Sequence, residues 1–155
     1  MTNEQGTASA FEEFVELWAR LRSESERPRT VVVVEGERDR RSLRRLGWAG
    51  EIALVHRGAR LGGIAQGLAD GPRKVIVLTD WDSEGGQLAR RLKEFLESDV
   101  PELDLEYRRR LARVLRGEVV HVEGLYGWAR RTAEKLGRSI DEVTDGAELA
   151  RPPTE

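Results

Sequence analysis

The sequence contains no cysteine and only two histidines, His56 and His121, among its 155 residues. The lack of cysteine excludes disulfide bonds and metal sites built on thiolates, and the scarcity of histidine argues against a histidine-rich zinc site. No apolar run approaches the roughly 20 residues that a membrane-spanning helix needs, and the N-terminus lacks the basic and apolar regions of a signal peptide. The sequence therefore predicts a soluble, cytoplasmic protein without a membrane partner.

The chain also lacks an excess of charge of either sign. It carries 26 Lys and Arg against 28 Asp and Glu, a net charge of -2, although 35% of its residues are charged. This balance gives no overall signal for nucleic-acid binding, so any basic surface must be local. The length suits one domain with a hydrophobic core of its own.

The most informative stretch is a buried strand that ends in two acids. Residues 75–78 read V-I-V-L without polar alternation, which is typical of a strand buried on both faces of a parallel sheet. Asp80 and Asp82 follow, then Gly85 and Gly86, and then a helical pattern. The acids therefore lie at the carboxyl edge of the predicted sheet, where α/β proteins bind their ligands.

The acid pair has two interpretations. Two neighbouring carboxylates repel each other, and Mg²⁺ would relieve that repulsion because it is held by carboxylate oxygens together with phosphate and water. Aspartate after a strand is also a common helix N-cap or turn residue. The spacing of Asp80 and Asp82 alone does not separate the two.

A second strand end repeats the layout. Residues 30–34 read T-V-V-V-V, a β-branched strand, and Glu35 and Gly36 follow it. Residues 37–47 then have a helical pattern that is rich in arginine on its other faces: Arg38, Arg40, Arg41, Arg44 and Arg45. These arginines form either a solvated face or a surface that contacts phosphates, and their excess over nearby acids favours phosphate contact.

The remaining pattern predicts an α/β fold, a Rossmann-like three-layer sandwich with a mainly parallel four-stranded sheet. Its strands are expected at 30–34, 51–55, 75–78 and 119–122. Its helices are expected at about 10–24, 37–47, 61–69, 83–98, 103–115 and 125–136. Residues 1–27 are expected to form a helix that packs on a domain spanning 28–137, and residues 138–155 a partly mobile tail.

The two strand ends together resemble the Toprim domain, the catalytic module of topoisomerases, bacterial-type primases and M5-type maturases of 5S ribosomal RNA. That family has a hydrophobic strand ending in Glu-Gly and, about 45 residues later, a strand ending in Asp-x-Asp-x-x-Gly. Here Glu35 and Gly36 match the first motif, and Asp80, Asp82 and Gly85 match the second. The chain is similar in size to the small stand-alone Toprim proteins of archaea and some bacteria.

The resemblance implies a Toprim fold and a metal site formed by Glu35, Asp80 and Asp82, with Mg²⁺ as the cofactor and Mn²⁺ as an alternative. It also implies that Glu35 acts in catalysis as a general base or acid, or binds a second ion. The implied activity is hydrolysis of phosphodiester bonds in RNA or DNA, such as RNA processing by a nuclease. No tyrosine lies on a separate domain, which argues against a topoisomerase.

Other residues around these motifs are candidate contacts to nucleic acid. Arg38, Arg57 and Arg60 are the expected phosphate contacts from their positions near strand ends. Trp81, between the two aspartates, either stacks on a base or covers the end of the strand. Glu37 stands where lysine often follows the Glu-Gly motif of the family, and Arg38 is the substitute for that charge.

Two other functions compete with the nuclease. The domain could be a non-catalytic module that binds RNA, DNA or a protein and uses Mg²⁺ only to bridge phosphates. Acid pairs at strand ends also serve as phosphoacceptor sites in receiver-like proteins, but such a site does not need the Glu-Gly strand end. Cleavage that depends on Mg²⁺ or Mn²⁺ would separate the nuclease from both.

Overall fold

A computed structural model describes residues 2–55 and 71–145 of the chain. The strands are β1 (Thr30–Val34), β2 (Glu51–Leu54), β3 (Lys74–Val77) and β4 (Glu102–Asp104). The helices are α1 (Thr2–Glu24), α2 (Glu37–Arg45), α3 (Ser83–Leu96), α4 (Glu106–Leu115), α5 (Leu125–Lys135) and α6 (Asp141–Thr144). A single 3₁₀ turn, Val122–Gly124, precedes α5.

The four strands form one parallel sheet in the order β2-β1-β3-β4. Val32 in the central strand β1 lies between Ile52 on one side and Ile76 on the other. Every residue of β1 and β3 is buried, as the unbroken apolar runs predicted. The expected α/β class with a four-stranded parallel sheet is confirmed.

Side chains alternate between two hydrophobic layers, because successive strand residues point to opposite faces. Val32 and Ile76 belong to the larger core, which includes α1, α2, α4 and α5. Val31 and Val75 belong to the smaller core, which is closed by α3. Helices therefore cover both faces of the sheet, and the three-layer arrangement is confirmed.

The N-terminal helix is part of the larger core. Phe14 and Trp18 are buried and stack on each other with ring centroids 5.6 Å apart. The indole N–H of Trp18 donates to the carbonyl oxygen of Leu46 at the end of α2 (2.8 Å). The helix begins at Thr2, earlier than predicted, because the polar sequence before Phe11 has no apolar periodicity that would mark a helix.

The expected strand at 119–122 is wrong. The carbonyl oxygens of Val119 and Val120 instead accept hydrogen bonds from the side chain and main chain of Trp81, and Val122 begins the 3₁₀ turn. The backbone of this segment is thus satisfied by Trp81, which is distant in sequence, and the segment does not join the sheet. The fourth strand is 102–104, so the helix expected at 103–115 begins only at Glu106.

Several predictions concern parts of the chain outside the described residues. These are the helix at 61–69, the residues His56, Arg57 and Arg60, and the mobility assigned to the end of the tail beyond 145. Within the described part of the tail, α6 forms one short helix whose Val143 is buried in the larger core. No helix of the described ranges has the length and apolar character to cross a membrane.

Candidate metal centre

The candidate site lies at the carboxyl ends of β1 and β3, which are neighbours in the sheet. The chain passes from β1 to one side of the sheet and from β3 to the other, so the order of strands reverses between them. Such a reversal opens a crevice between the two loops, and α/β proteins bind ligands there. Glu35 leaves β1 at this point, and Asp80 follows β3.

Glu35 and Asp80 are joined directly. The main-chain N–H of Asp80 donates to Oε2 of Glu35 at 2.9 Å. Two acids that are 45 residues apart in sequence therefore meet at one rim of the sheet.

Each aspartate is oriented by one backbone N–H. Oδ1 of Asp80 accepts from the N–H of Val122 (2.8 Å), and Oδ1 of Asp82 accepts from the N–H of Gly85 (2.8 Å). The second bond makes Asp82 the N-cap of α3. Capping and metal binding are not exclusive here, because each hydrogen bond uses only one of the two carboxylate oxygens.

His121 completes the group. Its Nε2 lies 3.1 Å from Oδ2 of Asp82, and its ring is exposed. Asp80, Asp82 and His121 each offer one ligand atom, and all these atoms lie within 4.8 Å of one another. The predicted strand at 119–122 includes His121, and the structure instead places this residue beside the aspartates.

The acids share an unfavourable electrostatic environment. Burial raises the pKa of Asp80 to about 7, and the negative charges of Asp39 and Glu35 act in the same direction. Burial likewise raises the pKa of Asp39, and Glu35 and Glu123 reinforce the effect. A cation beside Asp80 and Asp39 would stabilise the ionised form of these two carboxyls.

Asp39 is a further member of this acidic group. It is buried, and its Oδ2 accepts from the N–H of Gly36 (3.0 Å). It thereby fixes the first turn of α2 directly after Glu35.

The loop of the aspartates is tightly packed around Gly85. A Cβ atom at this position would lie 1.8 Å from the carbonyl oxygen of Asp80, so no other residue fits without moving the backbone. The hydroxyl of Thr79 donates to the carbonyl oxygen of Gly85 (2.8 Å) and closes the turn. Glycine in the second motif is therefore explained by the close approach of two backbone segments.

Arg108 supports the same loop from α4, although no sequence pattern distinguishes it from its neighbouring arginines. Its guanidinium donates to the carbonyl oxygens of Thr79 (3.0 Å) and Asp80 (2.8 Å). Burial lowers its pKa, whereas the charges of Asp82 and Glu35 oppose that effect. Arg108 thus places a positive charge at the backbone of Thr79 and Asp80, close to the acidic group.

Trp81 has a structural role in this arrangement. Its indole N–H donates to the carbonyl oxygen of Val119 (2.6 Å), and its main-chain N–H donates to that of Val120 (3.0 Å). The ring is partly buried against the larger core. These contacts favour the interpretation that Trp81 covers the strand end, and base stacking stays a prediction.

The expected phosphate contacts are only partly within the described chain. Arg38 is described, and its side chain is 84% exposed with Nη1 3.9 Å from Oε2 of Glu123. An ion pair so exposed contributes little stability, which leaves the guanidinium accessible to a ligand. Arg57 and Arg60 lie outside the described residues.

The donor set fits a divalent cation. Asp80 and Asp82 supply hard carboxylate oxygens of the kind that Mg²⁺ prefers. His121 supplies an imidazole nitrogen, which suits Mn²⁺ and other transition metals better than Mg²⁺. Glu35 is held beside Asp80, but it lies outside the group of three whose ligand atoms are mutually close.

The amino-acid sequence is similar to those of several archaeal proteins. The chain is 34% identical over 120 residues to a UPF0292 protein of Methanosarcina acetivorans, covering 77% of this chain and 83% of that protein. It is 39% identical over 120 residues to a UPF0292 protein of Thermococcus gammatolerans, covering 77% and 86%. These names state no activity.

A solved structure is also similar. A protein from Aquifex aeolicus matches with a TM-score of 0.57 and 25% identity, covering 70% of this chain and 94% of that one. The match supports the parallel α/β architecture described above. No protein-family model matches the chain.

Proposed function

The chain belongs to the UPF0292 family, and we propose that it is a Toprim-type protein that uses a divalent cation to hydrolyse phosphodiester bonds in RNA or DNA. The proposal rests on one observation above all. Glu35 at the end of β1 contacts Asp80 at the end of β3, and Asp80 lies with Asp82 and His121 in one group of candidate ligands. This is the combination of acids that the Toprim resemblance implies.

The proposed roles follow from the position of each side chain. Asp80 and Asp82 would hold Mg²⁺ or Mn²⁺, with His121 as a further ligand for Mn²⁺. Such an ion would polarise the scissile phosphate and offset the negative charge that develops during cleavage. Glu35, oriented by the main chain of Asp80, is the candidate general base or acid that moves a proton to or from the attacking or leaving oxygen.

Buried acids would also make the site dependent on the cation. Asp80 has its pKa raised to about 7 by burial and by neighbouring carboxylates, so near neutral pH it is partly protonated without an ion. A bound cation favours the ionised carboxylate and removes that proton. We expect this activity in the cytoplasm.

The decisive experiment is a cleavage assay on labelled ribosomal RNA precursor and on single- and double-stranded DNA, with Mg²⁺, Mn²⁺ or EDTA. We expect products with the divalent ions and none with EDTA. Asp80→Ala should abolish cleavage, whereas Glu118→Ala, an exposed acid outside the site, should not. Cleavage that survives Asp80→Ala or EDTA would contradict the proposal.

The alternative is a non-catalytic module that binds RNA or DNA with the help of Mg²⁺. It is favoured by the structural use of Asp82 as a helix cap and of Asp80 as an acceptor for Val122, since both residues would be needed without any chemistry. This alternative predicts a salt-dependent complex with nucleic acid and no products at any concentration of Mg²⁺ or Mn²⁺.

A further inference from the structure

A groove outside the acidic group carries the opposite charge. It lies between α2 and the segment formed by the 3₁₀ turn and α5, and its volume is about 510 Å³. Five arginines line it: Arg38, Arg41 and Arg45 from α2, and Arg130 and Arg131 from α5. Two glutamates, Glu123 and Glu134, also line it, so its net charge is +3 in a chain whose net charge is -2.

The arginines of α2 differ in what their side chains contact, and this difference cannot be read from the sequence. Arg40 pairs with Glu37, and Arg44 donates to the carbonyl oxygens of Trp48 (3.0 Å) and Gly50 (2.7 Å). Those two arginines hold the helix and the loop that follows it. The remaining three face the groove, at intervals of about one helical turn.

Two arginines of the groove have defined neighbours. The guanidinium carbon of Arg45 lies 3.8 Å from the ring centroid of the buried Tyr126, a cation–π contact that orients its charge. Gly127 has no side chain on the facing helix, and a Cβ there would lie 2.9 Å from Nη1 of Arg131. This glycine lets the guanidinium of Arg131 lie close to the helix backbone, at the cost of about 1 kcal/mol of helix stability.

The groove begins at the candidate metal centre. Glu123 lies at its mouth opposite Arg38. The preceding residue, Val122, donates its N–H to Asp80. From there α2 carries arginines from Arg38 to Arg45 over roughly 10 Å, which is the length of about three stacked nucleotides of one strand.

We propose that this groove binds the phosphodiester backbone of a nucleic acid and directs the strand to the acidic group at the ends of β1 and β3. Guanidinium groups match phosphate geometry with two parallel hydrogen bonds, and a row of them on two facing helices suits a chain of phosphates. The inference rests on the proposed function for the site to which the strand leads. Binding in the groove itself needs no metal ion.

The test measures binding of fluorescent single-stranded RNA, single-stranded DNA and duplex DNA in EDTA, so that no cleavage occurs. The groove variant is Arg41→Glu with Arg130→Glu, both exposed residues. The matched control is Arg90→Glu with Arg91→Glu on α3, which removes the same charge on the opposite face of the sheet. We expect at least tenfold weaker binding for the groove variant than for the control.

Lysine and alanine variants at the same two positions test whether binding depends on the positive charge or on the guanidinium group. Arg41→Lys with Arg130→Lys should bind more weakly than the wild type but more tightly than the glutamate variant, because lysine keeps the positive charge and loses the paired hydrogen bonds to phosphate. Arg41→Ala with Arg130→Ala should reduce the slope of log K against log salt by about 1.4 for a single strand. The RNA and DNA arms identify which nucleic acid is preferred.

Equal binding by the groove variant and the α3 control would overturn the inference, even if the wild type cleaves its substrate. Conversely, selective loss of binding in the groove variant would support it even if no cleavage is found with Mn²⁺. As a check that does not depend on substitution, oligonucleotide should slow amide hydrogen exchange in α2 and α5 of the wild type. Protection confined to α3 would also overturn it.

Discussion

Oε2 of Glu35 accepts a hydrogen bond from the main-chain N–H of Asp80 at 2.9 Å, so the first acid of the site is held by the backbone of the second. This contact crosses from β1 to β3 and needs only an acceptor oxygen. It therefore allows the structural role of Glu35 to be separated from its charge.

Glu35→Gln should keep the fold and lose the activity. The amide oxygen of Gln can still accept from Asp80, so we expect a Tm close to that of the wild type. Cleavage should fall by about 100-fold or more, because the general base or ligand charge is gone. Glu35→Ala, which also removes the acceptor, should lower the free energy of unfolding by about 1–3 kcal/mol in urea denaturation. Full activity in Glu35→Gln would exclude a catalytic role for this carboxylate.

Gly85→Ala should be strongly destabilising. Its methyl group would lie 1.8 Å from the carbonyl oxygen of Asp80, so the loop would have to move, and we expect a loss of about 3 kcal/mol or more. Gly86→Ala is the matched control in the same turn, since its nearest neighbour would be a side-chain atom of Arg108 at an ordinary 3.5 Å. Urea unfolding of both variants measures the difference, and equal stability would contradict the described packing.

Stability without metal should depend on pH through Asp80. Burial, together with Asp39 and Glu35, raises its pKa to about 7 in the folded state, whereas an unfolded aspartate titrates near 3.9. The folded protein therefore binds this proton more tightly, so the stabilisation is complete below pH 4 and is lost as the pH rises to about 7.

The comparison that isolates this effect is wild type against Asp80→Asn in EDTA. The Tm of the wild type should fall relative to that of the variant between pH 4 and 7, and the difference should then stay constant. Adding Mn²⁺ should raise the Tm of the wild type above pH 7 and leave Asp80→Asn nearly unchanged. A pH-independent difference would show that Asp80 titrates normally.

His121→Ala should change the metal preference. An imidazole contributes more to binding of Mn²⁺ than of Mg²⁺, so we expect calorimetry to show about tenfold weaker Mn²⁺ binding and a much smaller change for Mg²⁺. Glu118→Ala, a nearby exposed acid, serves as the control. Equal losses for both ions would indicate that His121 acts only by orienting Asp82.

The central part of the fold was predictable because its signals are local. The apolar runs at Thr30–Val34 and Lys74–Val77 identify strands buried on both faces, and the acids and glycines directly after them mark the carboxyl edge. The helix after Asp82 begins where the capping pattern predicted. These features depend on residues close together in sequence.

The missed features depend on partners that are far apart. The V-V-H-V segment has the composition of a strand, but Trp81 takes up its carbonyl oxygens, and this cannot be inferred from residues 119–122 alone. Strand β4 has only three residues and no strong pattern, and it exists because β3 offers a free edge. Because residues 119–122 were predicted as a strand, the position of His121 beside Asp82 was missed as well.

Trp81 fastens the loop of the aspartates to the segment of His121 through both its indole and its main chain. The candidate donor atoms for a cation are thus brought together when the protein folds, and binding of an ion would not have to order them again. Such a pre-assembled receptor would exchange one divalent ion for another without any rearrangement of the surrounding helices. The positions of these side chains would then be the same with Mg²⁺ and with Mn²⁺, whichever ion the cell supplies.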